Sequence, residues 1–165
     1  MSDDYTGFFQ PNKAYDDTDP LSIEKSSQKL IGLTFKEVYD TYSRTRQSNF
    51  VSDNPIRYEA EEYEKHNRKG GLGDLIEEHF FHYPVNGDSR PDFPDAGVEL
   101  KVTPYKVNND GSLSAKERLI ITMIDYLTVV NEPFDTSHLW NKCRLILLIY
   151  YMYQPGVADR LQYRI

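Results

Sequence analysis

The sequence predicts an α/β domain in which a mixed central β-sheet is flanked by α-helices. Helical spacing and helix-start signals fill the first half of the chain, and strand-length apolar runs fill the second. Between them a glycine loop opens an amphipathic segment. Helices followed by strands, with one functional strand near the middle, pack as layers around a single core, and 165 residues are one domain's worth.

Residues 1–20, with Pro11, Pro20 and scattered aspartates, are expected to form an irregular acidic arm, and residues 21–165 the folded domain. A first helix runs from about Ser22 to Ile31. A second begins at Thr34, whose hydroxyl and Glu37 make a T-x-x-E capping box, and continues toward Arg44. Asn54-Pro55 opens a charged segment, Arg57 to His66, whose Tyr58, Tyr63 and glutamates suit a solvated helix better than a site. Leu72 to Phe81 is the next helix, with Leu72, Leu75 and Ile76 on its buried side. After a turn at Asn86-Gly87-Asp88, strands are expected at Val98 to Thr103, Arg118 to Ile124 and Arg144 to Tyr153, with Asn108-Asn-Asp-Gly111 as a hairpin turn. Asp135 or Thr136 caps a short helix through Trp140. Leu161 to Ile165 reads as the beginning or middle of a further strand, so the chain is expected to be a fragment of a longer enzyme.

Composition sets outer limits. With 39% hydrophobic and 27% charged residues the chain suits a soluble globular protein. The longest apolar run, Leu145 to Met152, is strand-sized, and there is no signal peptide, so no membrane partner is expected and a bacterial cytoplasmic location is. Cys143 is the single cysteine, which excludes an internal disulfide framework. The net charge of −7 runs against DNA binding, where phosphate contacts want lysine and arginine. Residues 1–19 carry five aspartates against Lys13, a net of −4, which leaves −3 for the rest. Basic spots remain at Lys65, Arg68 and Lys69 before the glycine loop, and at Lys101, Lys106, Lys116 and Arg118. Each also fits a plain solvated face.

One segment carries chemistry: Pro91-Asp-Phe-Pro-Asp-Ala-Gly-Val-Glu-Leu-Lys101, a D-x6-E-x-K array. Strand alternation puts Glu99 and Lys101 on one face with Val98 and Leu100 on the other, and the proline-broken turn can swing Asp92 back toward the first face. Two hard oxygen ligands and an ammonium suit Mg2+ and a phosphate substrate. Alone, the array equally fits the solvent face of an edge strand. Glu77, one turn into the helix after Lys69-Gly-Gly-Leu-Gly-Asp-Leu-Ile, adds a third carboxylate that can project beside that strand. His79 and His82 lack a second pair to complete a zinc site, and His138 has no Ser or Cys nucleophile nearby.

Lys69-Gly70, the Gly70-x-x-Gly73 spacing, Leu75-Ile-Glu77, and Asp92-x6-Glu99-Leu-Lys101 within Gly97-Val-Glu-Leu-Lys-Val-Thr-Pro104 resemble the MutH family of GATC endonucleases. That family covers a mismatch-repair nickase and related restriction enzymes. Ser114-Ala-Lys-Glu-Arg-Leu-Ile120, followed by apolar residues and Asp125-Tyr126, leans toward the restriction branch, the Sau three AI type, and its N-terminal catalytic domain. The resemblance implies a restriction-endonuclease-like fold and a Mg2+-dependent type II restriction endonuclease, Mn2+ able to substitute. Its substrate would be double-stranded DNA at GATC, with 5′-phosphate and 3′-hydroxyl products.

In that scheme Asp92, Glu99 and the Leu100 carbonyl bind the metal, and Glu77 is a further ligand or holds a water of its shell. Lys101 orients the attacking water and stabilises developing charge. Lys69, Gly70, Arg68 and Lys116 are candidate DNA contacts, and the base-reading segments, a C-terminal DNA-binding domain, are expected beyond Ile165. A MutH-like nickase awaiting a repair partner is the closest alternative. A non-catalytic DNA-binding effector domain of the same fold is another, against which the intact acid and lysine set argues. An acidic protein-interaction domain would account for the charge and little else.

Overall fold

The computed structural model describes residues 14–49, 63, 71–83, 90–127 and 129–165. Helix α1 spans Pro20–Ser27, two residues earlier than the spacing suggests, because Asp19 accepts from the Leu21 amide and Pro20 fills the first helical position, where no amide is needed. Its end tightens into a 3-10 turn at Gln28–Leu30. Helix α2 spans Phe35–Asn49 and starts at the expected capping box. The Glu37 amide donates to the Thr34 hydroxyl at 3.1 Å, and the Thr34 amide donates to the Glu37 carboxylate at 2.7 Å.

Helix α3, Gly71–Leu75, runs on as a π-helical turn over Ile76–Phe80, where the sequence suggests α-helix throughout. The Phe81 amide reaches back five residues to the Ile76 carbonyl at 3.1 Å. Three consecutive rings explain the widening. His79 packs on Tyr39, Phe80 on Tyr42 and Phe81 on Phe93, with centroids 4.7, 4.9 and 5.0 Å apart. An α-helical turn would aim one of them at solvent, whereas the extra residue lets all be buried.

The strands are β1 at Glu99–Val107, β2 at Leu113–Ala115 and β3 at Ile146–Met152. Among the described residues they form one mixed sheet in the order β2-β1-β3, antiparallel between β1 and β2 and parallel between β1 and β3. The β1–β2 hairpin turns at the expected Asn108–Gly111, where Gly111 takes φ +81° and the Asn108 amide donates to Ser112 O at 2.8 Å. A parallel partner requires a crossover, and it includes helix α4, His138–Cys143. Ser137 caps α4 by accepting from the Trp140 amide at 3.1 Å, in place of the expected Asp135 or Thr136, which fall in a separate 3-10 turn.

Period-two alternation decides which face is core. Leu100, Ile149 and Tyr151 are buried against the helices, with Phe35 edge-on to Tyr151 at 5.2 Å, while Leu148 and Tyr150 stand exposed on the opposite face. Residues paired across β1 and β3 share a face, and Lys101 pairs with Leu148. The acid and lysine side of β1 is therefore the face opposite Leu100, Ile149 and Tyr151.

Two expected strands do not form. Residues 118–125 carry no regular structure, and Ile120, Met123 and Ile124 are exposed. β2 leaves β1 after three paired residues, and the following segment meets no strand edge among the described residues to complete a ladder. Leu161–Ile165 instead begins inside a 3-10 turn, Arg160–Gln162, and then makes isolated bridges from Arg164 to Thr34 and Met152. The end of the acidic arm is docked: the Tyr15 hydroxyl donates to Phe81 O at 2.8 Å. Within the charged segment only Tyr63 is described, and it is helical and 1% exposed, a core residue where the sequence suggests a solvated one. The rest of Arg57 to His66 and the Asn86-Gly87-Asp88 turn lie outside the described residues.

Candidate active site

The turn Pro94–Gly97 folds the chain back on itself. Phe93 and Val98 exchange backbone hydrogen bonds at 2.9 and 3.1 Å, and Gly97 takes φ +67°, a left-handed conformation that favours glycine. Phe93 is wholly buried among Tyr15, Phe81 and Tyr83. This clamp fixes Asp92 beside β1, where its Oδ2 accepts from the Leu100 amide at 2.8 Å. The Glu99 amide donates to Leu145 O toward β3, so Leu100, one residue on, directs its N–H and C=O to the other edge, where Asp92 sits.

Glu99 is 1% exposed. Its Oε1 pairs with the Lys101 ammonium on the same strand face, as alternation requires. Its Oε2 is buried without a hydrogen bond, and the nearest cation, Lys142 Nζ, lies 3.6 Å away. Burial pushes the Glu99 carboxyl above its ordinary range, and Lys101 and Lys142 pull the other way. Lys142 is the residue that sequence reasoning missed. It sits 41 positions beyond Lys101, within no local motif, and α4 delivers it to the site, where it also donates to Arg90 O at 3.4 Å.

Glu77 projects from the π-helical turn and is 8% exposed. Burial first, then the charges of Asp92, Asp74, Glu78 and Glu99, raise its pKa from 4.5 to about 8. Glu77, Asp92, Glu99, Lys101 and Lys142 line one cavity of about 410 Å3 that Gly73, Val102 and Arg160 also border. The four residues singled out from the sequence are thus brought together. Of the proposed DNA contacts, Lys116 stands 4.6 Å over the Tyr153 ring, away from that cavity's lining, and Arg68, Lys69 and Gly70 lie outside the described residues.

Bland assignments hold elsewhere. Both ring nitrogens of His79 are engaged, by Ser43 at 2.8 Å and by the Tyr63 hydroxyl at 3.1 Å, so it belongs to a packing network. His138 bonds Glu132 at 2.8 Å on the surface, and burial raises the Cys143 thiol, which does not favour a nucleophilic thiolate. Among the described residues no helix is long and apolar enough to cross a membrane.

Among those residues, too, no three His, Cys, Asp or Glu side chains gather closely enough to enclose an ion. Mg2+ asks for less: one or two carboxylates, with waters and substrate oxygens filling the rest. The buried, hydrogen-bond-free Oε2 of Glu99 and the neighbouring Asp92 fit that smaller demand.

A mixed sheet flanked by helices, with a carboxylate and a lysine on its central strand and a second carboxylate held beside it, defines a restriction-endonuclease-like domain. The family model of the DNA mismatch repair enzyme MutH matches residues 81–165, and the chain belongs to that family. The match takes in Asp92, Glu99, Lys101 and Lys142 and begins after Glu77. The type II restriction enzyme Sau3AI of Staphylococcus aureus is 43% identical over 91 residues, 55% of this chain. The chain spans 18% of that enzyme's length.

Proposed function

We propose that this chain carries the cutting centre of a type II restriction endonuclease that hydrolyses phosphodiester bonds of double-stranded DNA. The observation that carries the proposal is Glu99, buried between two lysines with one oxygen free of hydrogen bonds, next to Asp92 on the wall of an open cavity. Burying an acid with an unsatisfied oxygen costs on the order of 1–3 kcal/mol, which a bound cation would offset.

Asp92, Glu99 and the Leu100 carbonyl would hold Mg2+, for which Mn2+ can substitute, and Glu77, losing its proton as the cation binds, would be a further ligand or hold a water of the metal's shell. The metal, when bound, supplies Lewis-acid stabilisation of the charge that builds on the phosphoryl oxygens. Lys101 orients a water whose oxygen bonds to phosphorus as the P–O3′ bond breaks, which leaves 5′-phosphate and 3′-hydroxyl ends. Its ammonium also offsets charge developing on the phosphoryl group. The family resemblance and the likeness to a restriction enzyme support GATC as the target and a cytoplasmic setting. That likeness also favours restriction over mismatch-repair nicking.

The test is plasmid cleavage by the chain with Mg2+ or Mn2+, alongside Asp92→Ala and Lys101→Ala. Cleavage by wild type, reduced about 100-fold or more in each variant, is expected. DNA binding without cleavage by wild type would turn the assignment to an effector domain, and nicked product that rises with a repair partner would turn it to a nickase.

A further inference from the structure

An acidic chain that acts on DNA must concentrate what positive charge it has, and the second cavity does so. It has a volume of about 280 Å3 behind the Asp92 turn and is lined by Arg90, His138, Asn141 and Arg144 around Gly97, with no carboxylate among the described residues of its wall. Among the described residues, the acids nearest in sequence are engaged elsewhere. Asp92 accepts from the Leu100 amide, and Asp95 stands close enough to Tyr83 to raise its hydroxyl pKa. Glu132 is bound to His138 and accepts from both its amide and its ring.

The Arg144 guanidinium stands close against Gly97 and makes no ion pair among the described residues. A Cβ at Gly97 would run into its guanidinium, so the glycine serves this approach as well as the turn. Helix α4 and its C-cap serve both cavities: Lys142 faces the catalytic one, while His138, Asn141 and Arg144 face the second. Lys142 bridges them through Arg90 O and Glu99.

We infer that this cavity is a phosphate subsite, with Arg144 as its principal donor, that grips a backbone phosphodiester of the DNA flanking the bond to be cut. A planar guanidinium suits two phosphate oxygens at once, and an asparagine amide can add a neutral donor. The inference rests on the nuclease assignment and deepens it, since the subsite would set the register of the duplex over Glu99 and Lys101.

The experiment measures binding of a short GATC duplex to the chain by fluorescence anisotropy between 50 and 200 mM salt with Ca2+, for wild type, Arg144→Gln and Arg144→Lys. Arg144→Gln should weaken binding about tenfold at low salt and lower the slope of log K against log salt by about 1, and Arg144→Lys should restore most of that slope. Circular dichroism checks that each variant is folded. If wild type binds and cuts while Arg144→Gln keeps the same affinity and slope, the subsite is refuted and the nuclease assignment stands. A cavity that took only free phosphate would give that same unchanged slope. If folded wild type neither binds nor cuts duplex DNA, both are overturned.

Discussion

Glu77 offers a quantitative prediction because its environment opposes its charge. In the folded chain its pKa is raised from 4.5 to about 8 by burial and by four neighbouring carboxylates. As pH rises past 4.5 the unfolded chain sheds a proton that the folded chain retains, and folding loses about 1.4 kcal/mol per pH unit until the folded pKa is reached. The stabilising contribution of the protonated acid is thus complete below pH 4.5 and gone above about 8. Glu77→Gln keeps the shape and has no proton to lose. Over the interval from 4.5 to pH 7 it should gain about 3 kcal/mol on wild type, or about 6–12 °C in melting temperature for a domain of this size.

Thermal unfolding of both proteins in EDTA at pH 4.5, 6 and 7 measures this difference. Packing changes would shift the variant equally at every pH, so only the growth of the gap with pH counts. A gap that stays flat would refute the charge-crowding account of the cavity. Mg2+ at pH 7 should narrow the gap by stabilising wild type, since a cation among Asp92, Glu99 and Glu77 relieves the same repulsion.

Gly71→Ala should destabilise by about 1–3 kcal/mol, because its new Cβ would meet the Tyr63 carbonyl, a backbone atom that cannot swing away. Gly73→Ala, whose Cβ would stand 3.9 Å from Val102, should be tolerated, and urea unfolding compares the two. Lys142→Met removes a cation 3.6 Å from Glu99 Oε2, so Glu99 should bind its proton more tightly. Cleavage at neutral pH should then fall on the order of tenfold, and the acid limb of the pH–rate profile should move to higher pH. A loss of rate equal at all pH values would remove Lys142 from the charge balance of the site.

Elements set by neighbours in sequence were legible in the sequence. The Thr34–Glu37 box, the Asn108–Gly111 turn and the Glu99/Lys101 alternation each depend on residues a few positions apart, and each stands in the structure. The strand expected over 118–124 failed because a strand needs a partner edge, which period-two apolarity does not reveal. The π-helical turn failed to show for a related reason: three rings demanded three different pockets, and those pockets belong to α2 and to the Asp92 turn. Tyr63, read from its charged surroundings as solvated, is buried because its hydroxyl finds Glu78 and His79.

The sequence by itself determined the candidate site residues, since the spacing of Asp92, Glu99 and Lys101 and the position of Glu77 follow local periodicity. Only the tertiary structure decided the electrostatics around them. Lys142 and part of the basic cavity come from α4, and Glu77 is made to hold its proton by burial and then by carboxylates that include Asp92 and Glu99 from another segment. The physical reason is range: backbone geometry repeats every two or three to four residues and can be read along the chain, whereas charge acts through space between groups that folding alone brings together.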